Sequence, residues 1–126
     1  MIRDGLGNFY GTTFAGGKNG DGTAYKLATS GALTVIHSFE EEEGEYLYAG
    51  LATGRNGTLF GATVYGGAGG GGVVFRLKPD GRERVLHNFG SGAGSYSSPI
   101  LDEKGHLYGT TFRGSNDQGS VWEITP

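Results

Sequence analysis

Apolar and polar positions alternate in short runs along this chain, and the same runs return in the same order. Tyr25-Lys26-Leu27, Phe75-Arg76-Leu77 and Trp122-Glu123-Ile124 each read apolar, charged, apolar. A period of two puts successive side chains on opposite faces of a strand, so the apolar members turn to a core while Lys26, Arg76 and Glu123 turn away. A second strand precedes each of these: Tyr10-Gly11-Thr12-Thr13, Phe60-Gly61-Ala62-Thr63 and Tyr108-Gly109-Thr110-Thr111, which start fifty and then forty-eight residues apart. A third strand follows the first two copies, running from Leu33 to Phe39 and from Glu83 to Phe89. A fourth, short segment leads in: Met1-Ile2-Arg3, Tyr48 to Thr53, and Ser98 to Leu101. Nowhere does the pattern take the 3.6-residue period of an amphipathic helix.

Each full unit is thus four short strands. Glycine-rich spacers such as Ala15 to Gly22 and Tyr65 to Gly72 connect them, and Pro79-Asp80-Gly81 reads as a turn in which glycine accepts positive φ. Four antiparallel strands in about fifty residues are the size of one propeller blade. The expected fold is therefore all-β, a single repeat domain over 1–126 made of four-stranded antiparallel β-propeller blades. Blade one covers 1–39, blade two 46–89, and blade three, lacking its last strand, 97–126. That is about 2.75 blades, too few to close a ring. Closure is then expected from homo-oligomerisation (two chains giving about six blades is one option) or from missing sequence, the chain being a propeller fragment. A β-solenoid fits the long period poorly, and an immunoglobulin-like sandwich leaves the threefold match unexplained.

Composition narrows the partners. Glycine is the commonest residue, 27 of 126, but without the period of three that marks collagen. The formal net charge is −3 and no basic run stands out, so nucleic acid is not an expected partner. No apolar stretch approaches the roughly eighteen residues of a membrane span, and no membrane partner is expected. With no cysteine, disulfides and thiolate chemistry are excluded.

Candidate chemistry is sparse. His37 and His87 occupy the same place in the third strand; a ring of imidazoles binding metal once per blade is one reading, and local packing beside Phe39 and Phe89 is the simpler one. His106 sits at the position of Asn8 and Thr58 and reads as a polar turn residue. The run Glu40 to Glu45 has an uncharged counterpart, Gly90 to Ser95, and reads as a solvated loop rather than a Ca²⁺ site. Asn19 and Asp21, with Asn116 and Asp117 in the equivalent loop, offer oxygens to a cation or sugar, although Asx turns account for them as well. The glycine run Gly66 to Gly72 lacks the lysine and hydroxyl of a phosphate loop and leads into a strand. Tyr46 and Tyr96 are fifty residues apart, with Tyr48 and Tyr65 close in sequence, and such rings stack on sugars or cover an interface. No catalytic residue, metal site or cofactor emerges.

Taken together, the stretches Gly7 to Thr13, Gly16-Gly17, Gly22 to Leu27 and Ile36 to Phe39 resemble a bacterial tandem repeat of about fifty residues, the Gloeobacter/Verrucomicrobia-type repeat. Copy two matches through Gly57 to Thr63, Gly66-Gly67, Gly72 to Leu77 and Leu86 to Phe89, and copy three through Gly105 to Thr111 and Gly119 to Ile124. The resemblance implies a propeller-like repeat found in larger, exported bacterial proteins, and it carries no catalytic residue over. The expected function is a non-enzymatic scaffold acting by assembly or binding, with a carbohydrate-binding, lectin-like module as the alternative.

Overall fold

The computed structural model describes residues 1–113 and 118–126. The first sheet is an antiparallel meander of β1 (Ile2–Arg3), β2 (Phe9–Thr13), β3 (Thr23–Leu27) and β4 (Leu33–Ser38), in that spatial order. The second repeats it with β5 (Ala52–Thr53), β6 (Leu59–Ala62), β7 (Val73–Leu77) and β8 (Glu83–Asn88). The third has β9 (Ile100–Leu101), β10 (Leu107–Thr111) and β11 (Ser120–Ile124). Glu41–Glu43 and Arg55–Gly57 form short 3-10 turns, and no α-helix occurs among the described residues.

One cross-strand pair recurs in every sheet. Gly11 lies opposite Tyr25, Gly61 opposite Phe75 and Gly109 opposite Trp122. The aromatic ring lies down over the glycine: a Cβ on Gly11 would sit 2.5 Å from Tyr25 Oη, and one on Gly61 or Gly109 would overlap the Phe75 or Trp122 ring. The glycine of each YGTT-type strand is therefore a steric requirement. At the far end of the same strands a threonine hydroxyl closes the unit. Thr13, Thr63 and Thr111 Oγ1 accept the backbone N–H of Thr23, Val73 and Ser120 at 3.0, 3.0 and 3.1 Å.

The turn into the YGTT-type strand is built on a carboxylate in two units. Asp4 Oδ1 accepts the N–H groups of Leu6 and Asn8 at 2.9 Å each, and the Tyr10 hydroxyl donates to Oδ2 at 3.0 Å. Asp102 takes the N–H groups of Lys104 and His106 at 2.9 Å and the Tyr108 hydroxyl at 3.2 Å. The second unit changes both partners together. Gly54 stands where the aspartate would be, and Phe60 lacks the hydroxyl that would reach it. The Phe60 ring fills the space, since a Cβ on Gly54 would lie 2.6 Å from its Cε2.

The sheets do not close into a propeller, and the expected fold is corrected here. Every strand ladder lies within one unit, and the three sheets remain separate. The distribution of apolar side chains accounts for this. One buried cluster joins Ala24 and Phe39 of the first unit to Leu51, Leu59, Val73, Phe75 and Leu77 of the second. The other joins Val74 and Phe89 of the second to Leu107 of the third, with Trp122 and Ile124 packed against it. The middle sheet is thus buried on both faces, and β7 loses its outward side: Val73, Val74, Phe75 and Leu77 are all fully buried. Closure would require the first and third sheets to bury apolar surface of their own. Instead Val121, at the position of the fully buried Val74, is 78% exposed, and Leu33, Val35 and Ile100 are exposed as well.

Two predictions follow from this architecture. Gly61→Ala should cost about 1–3 kcal/mol in urea unfolding because its Cβ must displace the Phe75 ring from the core, whereas Gly5→Ala, with nothing near its Cβ, should change stability by less than about 0.5 kcal/mol. Asp4 titrates at about 2, held down chiefly by the Asn8 side chain and then by Asn8 N–H, Tyr10 and Leu6 N–H, against a desolvation that raises it. A depressed native value means stabilisation that is present above the ordinary aspartate range and lost as pH falls from about 4 towards 2. Asp4→Asn should therefore flatten the acid limb of a Tm-against-pH curve in that window, and an unchanged limb would refute the assignment.

Candidate functional site

The segments that join one unit to the next are pinned to both. Tyr46 N donates to Asp21 O at 3.1 Å in the first unit, while Tyr46 O accepts Val64 N at 3.3 Å in the second. Gly94 N donates to Gly71 O at 2.9 Å, and Gly94 O accepts Phe112 N at 2.7 Å. Ser95, fully buried, adds a hydroxyl bond to Thr110 O at 2.8 Å. The seams between sheets are therefore fixed by backbone, and the side chains beside them are positioned rather than loose.

What those seams present is a belt of aromatic rings. Phe14 stacks on Tyr46 at 4.7 Å between centroids with planes 19° apart, and meets Tyr48 edge-on at 4.7 Å. Tyr46 continues to Tyr65 at 5.8 Å, Tyr48 to Tyr96 at 5.1 Å, and Tyr96 to Phe112 at 5.6 Å. The Arg113 guanidinium ends the row, 5.6 Å from the Phe112 ring centre. Such distances suit favourable aromatic pairing, but the rings are not interior. Phe14, Tyr48, Tyr65, Tyr96 and Phe112 are each 43% exposed or more. Tyr46 has a φ of +58°, a left-handed conformation that a tyrosine holds only when its surroundings impose it. Its backbone bonds to Asp21, Tyr48 and Val64 and the Phe14 stack are those surroundings.

Near Arg113 the belt folds into a cleft of about 230 Å³ lined by Val64, Tyr65, Gly94, Tyr96 and Phe112. This is smaller than the roughly 300–1,000 Å³ of a drug-sized ligand site. Burial pushes the Tyr96 phenol above its ordinary value, the neighbouring Tyr65 and Tyr48 phenols add to this, and Arg113 opposes it. A wider cleft of about 630 Å³ lies where Gly54 and Phe60 replace the aspartate–tyrosine pair, bordered by Arg55, Arg76, Leu101 and Lys104.

The four tyrosines named from the sequence, Tyr46, Tyr48, Tyr65 and Tyr96, lie in this one belt. Asp21 lies beside it through its backbone bond to Tyr46. Asn19 is committed elsewhere, its Nδ2 donating to Phe39 O at 3.1 Å. Asn116 and Asp117 lie outside the described residues. Phe14 and Phe112 are members that the sequence reading passed over. The signal was present, because each directly follows a Tyr-Gly-Thr-Thr run.

A polar cluster occupies the seam between the first two sheets. The glutamate run is ordered into the Glu41–Glu43 turn, where Glu40 N donates to Glu43 Oε2 at 3.3 Å. His37 Nε2 lies 2.8 Å from the same oxygen, and the imidazole meets Phe39 edge-on at 4.8 Å. Glu83 joins them from β8, on the same strand face as Val85, which packs on the first apolar cluster. Burial, and after it the Glu43 charge, push the Glu83 carboxyl up to about 8. His87 makes the same edge-on contact with Phe89, at 5.0 Å, but its unit has Ala93 where the first has Glu43. His106 bonds within its own turn, 3.2 Å from Asp102.

Compared with known proteins, the family described as the Gloeobacter/Verrucomicrobia repeat matches residues 1–126. No curated protein matches the chain. The family's name is that of bacterial groups, and it denotes a repeat rather than a reaction.

The belt should be dispensable for folding. Phe112→Ala should change unfolding free energy by no more than about 1 kcal/mol, whereas Leu51→Ala, which empties a position in the first core cluster, should cost about 2–5 kcal/mol. Equal losses in chemical denaturation would make the belt structural.

Proposed function

The chain belongs to the Gloeobacter/Verrucomicrobia repeat family, and from that premise we propose that it is a non-enzymatic binding module whose aromatic belt takes carbohydrate. The observation that carries the reading is the exposed row from Phe14 to Phe112, held in place by backbone bonds at both seams. A pyranose offers axial C–H groups to an aromatic face and hydroxyls to flanking donors. Here Tyr48, Tyr96 and Phe112 supply faces, while Arg113 and the tyrosine hydroxyls supply polar groups. A row of rings across three sheets matches an extended glycan better than a single small molecule. Export to the cell surface belongs to the same reading, since glycans are found there.

A second reading concerns assembly. The free faces at the two ends of the sheet stack carry exposed Leu33 and Val35 on the first sheet and Val121 on the third. Equivalent positions are covered between consecutive sheets, as Val74 is. Copies that associate head to tail would cover the end faces in the same manner.

Affinity electrophoresis on immobilised polysaccharides and a glycan array separate the two readings. Tyr48→Ala, Tyr96→Ala and Phe112→Ala should each weaken retention by about 2- to 10-fold, the worth of one ring contact, with Lys26→Ala unchanged. Absence of retention, or retention indifferent to these substitutions, would remove the carbohydrate reading. Light scattering tests the other: Val121→Glu should shift an associated species towards monomer while the belt substitutions leave the mass alone.

A further inference from the structure

We propose that His37, Glu43 and Glu83 bind one divalent first-row transition-metal ion, of which Zn²⁺ is the representative, at the seam between the first two sheets. The donor atoms are already gathered: one imidazole nitrogen and two carboxylate oxygens lie within 4.8 Å of one another. The closest pair, His37 Nε2 and Glu43 Oε2, stands 2.8 Å apart. Tetrahedral bonds of about 2.0–2.2 Å set their donors roughly 3.4 Å apart, so the His37–Glu43 pair would open by a fraction of an ångström while Glu83 closes in. The two carboxylates neutralise a divalent charge, and the imidazole selects ions of the zinc type over Ca²⁺ or Mg²⁺, which prefer all-oxygen sets.

Two further observations point to a cation rather than to a salt-bridged surface patch. Glu83 Oε1 is buried and has no hydrogen-bond partner among the described residues. A buried oxygen without a partner costs stability that a bound cation would recover. Furthermore, no lysine or arginine pairs with Glu43 or Glu83 among the described residues; His37 is the one basic side chain that forms an ion pair with either. Two carboxylates share one seam with a histidine that is charged only when protonated. A metal ion replaces that arrangement with a net attractive one.

The parts around the ligands suit such a centre. His37 is oriented by its edge contact with Phe39, a fully buried ring of the first core cluster. Glu43 is held by Glu40 N in the 3-10 turn. Neither ligand can drift far without disturbing those contacts, and preorganisation of this kind raises metal affinity. The three come from three elements, namely β4, the turn that leaves the first unit, and β8 of the second. The ion would therefore tie the first two sheets together. Three protein ligands leave a coordination position to water or to a polar group of a bound molecule. The second seam cannot repeat the site, because Ala93 replaces Glu43 there.

The test uses the full chain freed of metal with a chelator. Cobalt is titrated in and followed by its visible absorption, and Zn²⁺ is titrated by calorimetry and by thermal shift. One ion per chain in the micromolar range and a raised Tm are expected. His37→Ala and Glu83→Gln should each weaken binding by about 100-fold or more, since even loss of an outer-shell partner can cost that much. Glutamine keeps the size and shape of the Glu83 side chain without a charge, so this variant should fold about as well as the wild type. Glu41→Gln with Glu42→Gln should leave binding unchanged. No binding in the micromolar range would overturn the proposal. So would Zn²⁺ or Ca²⁺ binding that survives His37→Ala and Glu83→Gln but fails in the Glu41/Glu42 double variant, since that places the ion on the exposed glutamates.

Discussion

A ring lying over a glycine across a strand pair organises this protein. In each unit the second strand gives up a side chain at Gly11, Gly61 or Gly109, and the third strand lays Tyr25, Phe75 or Trp122 into the space. The exchange fixes register, because a slip of one residue would set the ring against the Cβ of a threonine, an alanine or an aromatic residue. It also brings the sheets close, since a flattened ring adds less thickness than an upright one. The middle sheet can then be covered on both faces, and Phe75 can be buried completely against Phe39, 4.8 Å away. A chain so rich in glycine pays heavily in conformational entropy. The full burial of Phe75 and the partial burial of Tyr25 and Trp122 offset part of that cost, at about 25 cal/mol for each Å² of apolar surface removed from water.

The strands were legible in the sequence because they depend on local information. Alternation located β3, β7 and β11, the glycine turns bounded them, and the recurring YGTT run located β2, β6 and β10. How sheets meet one another is not local information. A strand buried on both faces loses its alternation, and Val73-Val74-Phe75 carries that signal against Thr23-Ala24-Tyr25 and Ser120-Val121-Trp122, but the shared Phe75-Arg76-Leu77 alternation masked it. The step from four-stranded units to propeller blades rested on unit size and on the family resemblance, and neither says how sheets pack. It fails because, among the described residues, the buried apolar clusters join consecutive sheets and leave Val121 and Val35 exposed at the ends.

The candidate sites divide in the same way. The tyrosine belt was half visible, since Tyr46 and Tyr96 repeat at a fixed distance. Phe14 and Phe112 repeat too, each directly after a Tyr-Gly-Thr-Thr run, but they went unremarked. The His37–Glu43–Glu83 cluster was not visible at all. Its histidine and its glutamate run each had a bland explanation, and Glu83 sits where the first unit has Leu33. Only the packing of β8 against the first unit brings the third member in.

Both sites lie at seams, and repetition gives a reason. Within a unit nearly every position is committed: the glycine to its ring, the threonine to a backbone N–H, the aspartate to its turn. The second unit shows how tight that commitment is, for when Asp is replaced by Gly54 the tyrosine becomes Phe60 as well. The connections between units carry fewer such obligations. Their backbones are pinned by bonds such as Tyr46 N to Asp21 O, but their side chains are free to differ. Glu40 to Glu45 and Gly90 to Ser95 occupy equivalent places with opposite chemistry. A repeat protein of this kind can therefore acquire a site without disturbing its sheets, provided the new side chains enter at a seam, where two units supply the partners that one unit cannot.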